Sequence, residues 1–202
     1  MKQQFLLLAL GLLTLLLSGC AWLYDSGKPA ENGSDLSHLD LEVKPFSYTN
    51  QAEETVTNED LEGKYWIADM IFTSCPTVCN LMTPNMLNLQ GELEQEGVDV
   101  QFVSFSVDPE FDNPDRLKKY GENYGADFSS WHFLTGYSDE EIKKLANETF
   151  QTTVEKDPEQ NDIIHSTKFF LIDPEGNVIR SYDGLENDAD PIVEDLKRLS
   201  NS

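Results

Sequence analysis

Two cysteines and one histidine carry the chemistry open to this sequence. Cys75 and Cys79 lie in Thr73-Ser74-Cys75-Pro76-Thr77-Val78-Cys79, separated by three residues. If the segment is helical, positions i and i+4 share a face, and a helix amino terminus favours a thiolate. On spacing alone three chemistries stay open. The pair could form a structural disulfide, although closing so small a loop adds little stability. It could exchange a disulfide with a partner, as thiolates activated at a helix start do. It could also hold a soft metal, since two thiolates suit Cu(I) or zinc. His165 ends a polar stretch from Gln151 to Ile164 and directly precedes an apolar run. Imidazole commonly joins thiolates at copper and zinc sites, and sequence physics weighs ligand and bystander evenly for His165. His38, in a polar amino-terminal stretch, reads as solvated. His132, between Trp131 and Phe133, reads as a satisfied half-buried residue.

The elements that must position these groups are legible from periodicity. Lys64 to Phe72 is an apolar run that reads as a buried strand, and it ends at the cysteine segment. Met82, Met86, Leu89 and Leu93 then recur at helical spacing up to Gly97, with Pro84 expected to kink or restart that helix. Val98 to Val107 reads as a second strand. Asn113-Pro114 reads as a cap with proline at the first helical position, followed by Leu117, Tyr120 and Tyr124. Trp131 to Leu134 is a short strand. Ser138 and Glu141 make a capping box, Tyr137 could staple to Ile142, and Ile142, Leu145, Ala146 and Phe150 form the apolar face that follows. Lys168 to Ile172 and Val178 to Tyr182 flank Asp173-Pro174-Glu175-Gly176-Asn177, a hairpin signature. Asp190-Pro191 opens a last helix. This alternation predicts an α/β domain with helices over a central mixed sheet, with an inserted loop or hairpin before the C-terminal strands. A cysteine pair where a strand enters a helix is a thioredoxin-like arrangement. In such a sheet the loop before the strand at Lys168 passes close to the cysteine loop.

The 202 residues carry 37 acidic and 14 Lys/Arg side chains, a net charge of −23, with 39% hydrophobic residues. That supports one core and excludes wholesale disorder. It also argues against nucleic acid, whose phosphates require Lys/Arg. Three cysteines exclude a disulfide-dense scaffold. Phe5 to Leu17 is an apolar run after Lys2, short for a spanning helix and suited to a secretory signal. Leu17-Ser18-Gly19-Cys20 resembles a bacterial lipobox, so residues 1–19 are expected to be a lipoprotein signal peptide and Cys20 the lipidated first residue. Residues 20–40 read as an acidic flexible tether and 41–202 as the folded domain. The chain is then expected to be lipid-anchored to the cell membrane on its extracytoplasmic side, where disulfides persist.

T-S-C-P-T-V-C, S-V-D-P-E-F-D-N-P-D and I-I-H-S-T-K-F-F-L-I-D-P-E-G, in that order, resemble the motifs of the Sco/SenC family. Its members are membrane-tethered, thioredoxin-like copper proteins that help assemble cytochrome c oxidase. The resemblance spans about Val43 to Leu199. It implies a copper site, Cu(I) or Cu(II), formed by Cys75, Cys79 and His165, with Asp108 supporting it from behind or orienting it. Asp108 reads equally as a turn residue before Pro109. The implied role is maturation of the binuclear copper centre of oxidase subunit II, by copper delivery or by reduction of that subunit's cysteines. An upstream copper donor is an implied partner. Asn80 and Thr77 depart from the family's frequent proline and acidic residue. The alternative is an extracytoplasmic thiol–disulfide oxidoreductase or peroxide-reducing enzyme without metal. Ser166-Thr167 lacks the cis-proline such enzymes usually carry before the strand facing their cysteines.

Overall fold

In the computed structural model, which describes residues 33–157, 159 and 162–200, strand and helix alternate around a central sheet. The strands are β1 (Ser34–Asp35), β2 (Ser47–Thr49), β3 (Thr55–Thr57), β4 (Tyr65–Ile71), β5 (Val100–Ser106), β6 (Trp131–Leu134), β7 (Glu155–Asp157), β8 (Asp162–Ile164), β9 (Lys168–Ile172) and β10 (Val178–Asp183). The helices are α1 (Cys79–Glu96), α2 (Pro114–Tyr124), α3 (Asp139–Phe150) and α4 (Asp190–Ser200). The main sheet runs β1-β10-β9-β4-β5-β6. Its β4, β5 and β6 are parallel, as strands joined by helical crossovers must be, whereas β9, β10 and β1 join antiparallel. The sheet is therefore mixed, as the alternation predicts.

The two faces of the sheet are set by the alternation of side chains along each strand. On one face of β5, Phe105 meets Phe46, Tyr48 and the α3 residue Phe150, which also packs on Phe170. On the other, Phe102 and Ser104 meet Trp131, whose Nε1 donates to Ser104 Oγ at 2.9 Å. Phe133 continues that face to Tyr120 of α2, and Tyr120 bonds to Thr83 of α1 at 2.6 Å. Gly121 makes this approach close: a Cβ there would lie 2.5 Å from the Phe128 ring. Helices α2 and α3 start as expected. Asn113 Oδ1 accepts from the Arg116 N–H, and Ser138 and Glu141 satisfy each other's end of the helix. Tyr137 does not simply staple α3. Its ring is buried and its hydroxyl points to the carbonyls of Ser106 and Leu134, both at 2.8 Å. Helix α1 runs through Pro84 without a break.

One segment differs from its sequence reading. The fold starts before Leu41: Ser34 and Asp35 pair with Ser181 and Arg180, and Leu36 N donates to Ile179 O at 2.9 Å. Backbone pairing at a sheet edge is blind to side-chain polarity, so an acidic composition did not betray it. The polar insertion takes the hairpin form the sequence reading allowed: a separate two-stranded ribbon, β7 against β8, in which Val154 and Ile163 are buried. Cys20, the signal segment and residues 20–32 of the tether lie outside the described residues. Among the described residues no helix is long and apolar enough to cross a membrane.

Candidate metal and thiol site

Strand β4 delivers the cysteine loop. All seven residues from Tyr65 to Ile71 pair with β5 and Trp66 to Ala68 also pair with β9, so the chain leaves the end of the strand at Phe72 in a fixed direction. The next residues are held by one buried carboxylate. Asp112, wholly inaccessible, accepts from Thr73 N at 3.0 Å, from the Thr73 hydroxyl, and from Ser106 Oγ at 2.7 Å. Its own carbonyl accepts from Thr135 Oγ1 at 2.6 Å. Asp112 thus ties the start of the cysteine loop to the ends of β5 and β6. Asp108, the residue singled out from the sequence, shapes the same turn through its backbone. Its carbonyl accepts from Phe111 N and Asp112 N, while its side chain makes no hydrogen bond to the cysteine loop among the described residues. Burial, then the neighbouring Asp112 charge, push the Asp108 carboxyl upward. The carboxylate that grips the loop is four residues further on.

Helix α1 begins at Cys79 and has no side-chain cap at Val78. The sulfur of Cys75 takes that place, accepting from the Cys79 backbone N–H at 3.4 Å. A free N–H at a helix start stabilises negative charge. The strongest influence on Cys75 is the Cys79 thiol, which shares its proton toward it. His165 and the Cys79 and Thr77 amides add to the effect, burial opposes it, and Cys75 is held down to about 3. Cys79 is the mirror image. Its proton is shared with Cys75, it is buried, and the Asp69 carboxyl lies behind it, so its thiol is pushed far above the ordinary range. At neutral pH the pair is a monoanion, with the charge on the half-buried sulfur.

His165 follows β8 directly. Its Nδ1 lies 2.9 Å from the Ser166 carbonyl, which can only accept. In the neutral ring Nδ1 therefore holds the proton and Nε2 keeps its lone pair, 3.9 Å from Cys79 Sγ. Phe72 stands edge-on to the imidazole, with ring centres 5.8 Å apart. The Cys75 and Cys79 sulfurs and a His165 nitrogen all lie within 4.8 Å of one another. A metal with bonds of ~2.0–2.3 Å brings donors to roughly 3.5–4 Å apart, so a small inward movement closes this set around one ion. The set is soft and compact. It suits Cu(I) through sulfur and tolerates Cu(II) through nitrogen. His132 instead faces Asn50 Nδ2 at 3.4 Å in a half-buried setting, and His38 is exposed; neither belongs to the site.

Sequence reasoning missed Asp69. It sits on β4, six residues before Cys75, opposite Ser104 on the face covered by α1 and α2. Among the described residues neither of its carboxyl oxygens makes a hydrogen bond of normal geometry, although the Ser104 hydroxyl beside it favours the charged form. Burial drives it up to about 7, against smaller pulls from Ser104 and His165. A charged residue in the middle of an apolar run is the signal that could have flagged it.

Comparisons with known proteins identify the family. Residues 35–201 match the SCO1/SenC family. A SCO1/SenC family lipoprotein from Bacillus anthracis has a structure 45% identical in sequence, with TM-score 0.77, covering 80% of this chain and 96% of that one. BsSco, described with a disulfide switch as a member of the Sco family of cytochrome c oxidase assembly proteins, is 46% identical with TM-score 0.74, covering 81% and 95%. Arabidopsis thaliana ScoI, crystallised with copper bound, is 29% identical with TM-score 0.67, covering 79% and 98%. With the sequence motifs, the mixed sheet and the match over nearly all of its folded part, this chain belongs to the SCO1/SenC family.

Proposed function

We propose that this protein binds one copper ion through Cys75, Cys79 and His165 and serves assembly of the binuclear copper centre in subunit II of cytochrome c oxidase. A lipid on Cys20 would hold it at the extracytoplasmic face of the membrane. The observation that carries the reading is the convergence of two thiols and one imidazole within 4.8 Å, supplied by a helix start and by the segment after β8. The copper-bound ScoI relative supports the metal, the oxidase-assembly description of BsSco supports the destination, and the lipoprotein relative supports the anchor. Copper is cargo here. Reduced, the pair offers two sulfurs and binds; oxidised to the Cys75–Cys79 disulfide, it offers none and lets go.

The same thiols support a second activity on the same target. Cys75, already a thiolate, attacks one sulfur of a target disulfide. That S–S bond breaks and the first target sulfur leaves as a thiolate, which takes the Cys79 proton. The Cys79 thiolate then attacks Cys75 in the mixed disulfide and expels the second target sulfur as a thiolate. Two electrons have passed to the target, whose reduced cysteines can take up copper, and the Cys75–Cys79 disulfide remains. The low thiol of Cys75 beside a protonated Cys79 is the feature that favours this reading. Cells whose only copy carries Cys75→Ser or Cys79→Ser should lack assembled oxidase at limiting copper, and Cys20→Ala should release the protein from membranes. Normal oxidase activity in both thiol variants overturns the assembly role, and unchanged membrane association of Cys20→Ala overturns the anchor.

A further inference from the structure

The β7–β8 ribbon that leads into His165 hydrogen-bonds only within itself as a sheet and is not a strand of the main one. Sheet register therefore does not fix how near His165 comes to the thiols. The bond from Nδ1 to Ser166 O sets the rotation of the ring, not the approach of its backbone. Other contacts must seat the ribbon. Ile163 anchors it from below, buried in the core. On β7, Lys156 Nζ reaches Asp139 at 2.5 Å and Glu110 at 3.4 Å. On β8, the contact runs to the cysteine loop itself: Thr77 Oγ1 donates to Asp162 Oδ2 at 3.1 Å.

Thr77 stands midway between Cys75 and Cys79, and Asp162 lies three residues before His165. The Asp162 carboxylate is itself steadied, because its Oδ1 accepts from Ile163 N at 2.8 Å. A single hydroxyl thus joins the loop that carries both sulfurs to the strand that carries the imidazole. We propose that the Thr77–Asp162 hydrogen bond is a positioning contact that seats the β8 strand against the cysteine loop and so sets the approach of His165 to the two sulfurs. This rests on reading Cys75, Cys79 and His165 as the copper donors. Its signature is valence-selective. Cu(I) is held by two thiolates, whereas Cu(II) depends on the imidazole nitrogen, so loosening the ribbon weakens Cu(II) and spares Cu(I). A hydroxyl-to-carboxylate bond at a partly exposed site corresponds to about a threefold to tenfold change in equilibrium.

Reduced protein carrying Thr77→Val, Asp162→Ala, both together, Thr77→Ser or His165→Ala tests this by anaerobic titration with Cu(I) and Cu(II). Amide hydrogen exchange of Ile163 and Ile164 in the metal-free form provides a second readout. Thr77→Val and Asp162→Ala should each lower Cu(II) affinity about threefold to tenfold, leave Cu(I) affinity within about twofold, and speed exchange of the Ile164 amide, while the Ile163 amide, which loses its own acceptor in Asp162→Ala, is read in Thr77→Val alone. The double variant should be no worse than the singles, and Thr77→Ser should behave as wild type. An effect of Thr77→Val that Asp162→Ala does not share would place the action on the Cys75 sulfur, 3.7 Å from Thr77 Oγ1, and overturn the proposal. So would equal weakening of both valences. If His165→Ala weakens Cu(II) and neither latch variant does, the latch is wrong and the donor set stands. If His165→Ala itself has no effect, the donor set falls and the latch with it.

Discussion

Replacing Asp69 by asparagine changes one atom in a buried site and removes one ionisation. Among the described residues neither carboxyl oxygen makes a hydrogen bond of normal geometry, and burial lifts the group from 3.8 to about 7. The sign is the reverse of a salt-bridged aspartate. The folded form holds its proton more tightly than the unfolded chain, so ionisation works against folding. Below about pH 3 the group is neutral in both states and costs nothing beyond its unmet polar atoms, which asparagine shares. As pH rises the unfolded chain ionises first, and stability falls until the folded group ionises too, near pH 7. At ~1.36 kcal/mol per pH unit, the penalty is about 3 kcal/mol at pH 6 and reaches about 4 kcal/mol above pH 8. Asp69→Asn should therefore match wild type in stability near pH 4 and exceed it by roughly that amount at pH 8. Urea unfolding of the reduced, metal-free protein across pH 4–8 measures both ends. The charge of Asp69 also raises Cys79, so the variant should bind copper more tightly above about pH 7, where Asp69 is ionised, and as wild type below about pH 6. Parallel stability profiles for the two proteins, or a variant weaker at pH 8, would refute the reasoning.

Asp112→Ala leaves the Thr73 N–H, the Thr73 hydroxyl and the Ser106 hydroxyl without their buried acceptor. It should cost about 3 kcal/mol or more in unfolding free energy, while Asp108→Ala, which removes no bond to the loop, should cost much less. Equal losses would contradict the assignment of the loop anchor to Asp112. Copper binding at pH 8 should release about one proton per ion, because Cys75 is already ionised and Cys79 is not. Calorimetry in buffers of different ionisation enthalpy counts it, and two protons, or none, would show that the sulfurs are not a monoanion. Gly121→Val should destabilise by several kcal/mol, since the Phe128 ring occupies the space a Cβ needs; thermal unfolding near the wild-type midpoint would contradict that packing.

Most elements were legible because their signals are local. The apolar run at Lys64–Phe72, the Asn113-Pro114 cap, the Ser138–Glu141 box and the Asp173–Asn177 turn each depend on neighbours in sequence. Cys75 and Cys79 were legible for the same reason, since a strand entering a helix puts them at the helix start. His165 was legible as a candidate only through topology: 86 residues separate it from Cys79. What escaped depends on contacts that leave no periodic trace. The contacts that seat the β7–β8 hairpin, a buried Ile163 and the Thr77–Asp162 bond, lie far apart in sequence. Ser34 and Asp35 join the sheet edge by backbone pairing with Ser181 and Arg180. The grip on the cysteine loop belongs to Asp112 and not Asp108, a distinction of side-chain direction within one turn. Asp69 hides inside an apolar strand, where a lone carboxyl carries no pattern.

The central claim is that two sulfurs and one imidazole form a single copper site. Titrating the reduced protein with Cu(II) under anaerobic conditions, while following sulfur-to-copper charge-transfer absorption, tests it most directly. The account predicts saturation at one ion per chain. The band should vanish in Cys75→Ser and Cys79→Ser and weaken, with a marked loss of affinity, in His165→Ala. A His165→Ala protein that binds Cu(II) with unchanged affinity and spectrum would contradict it.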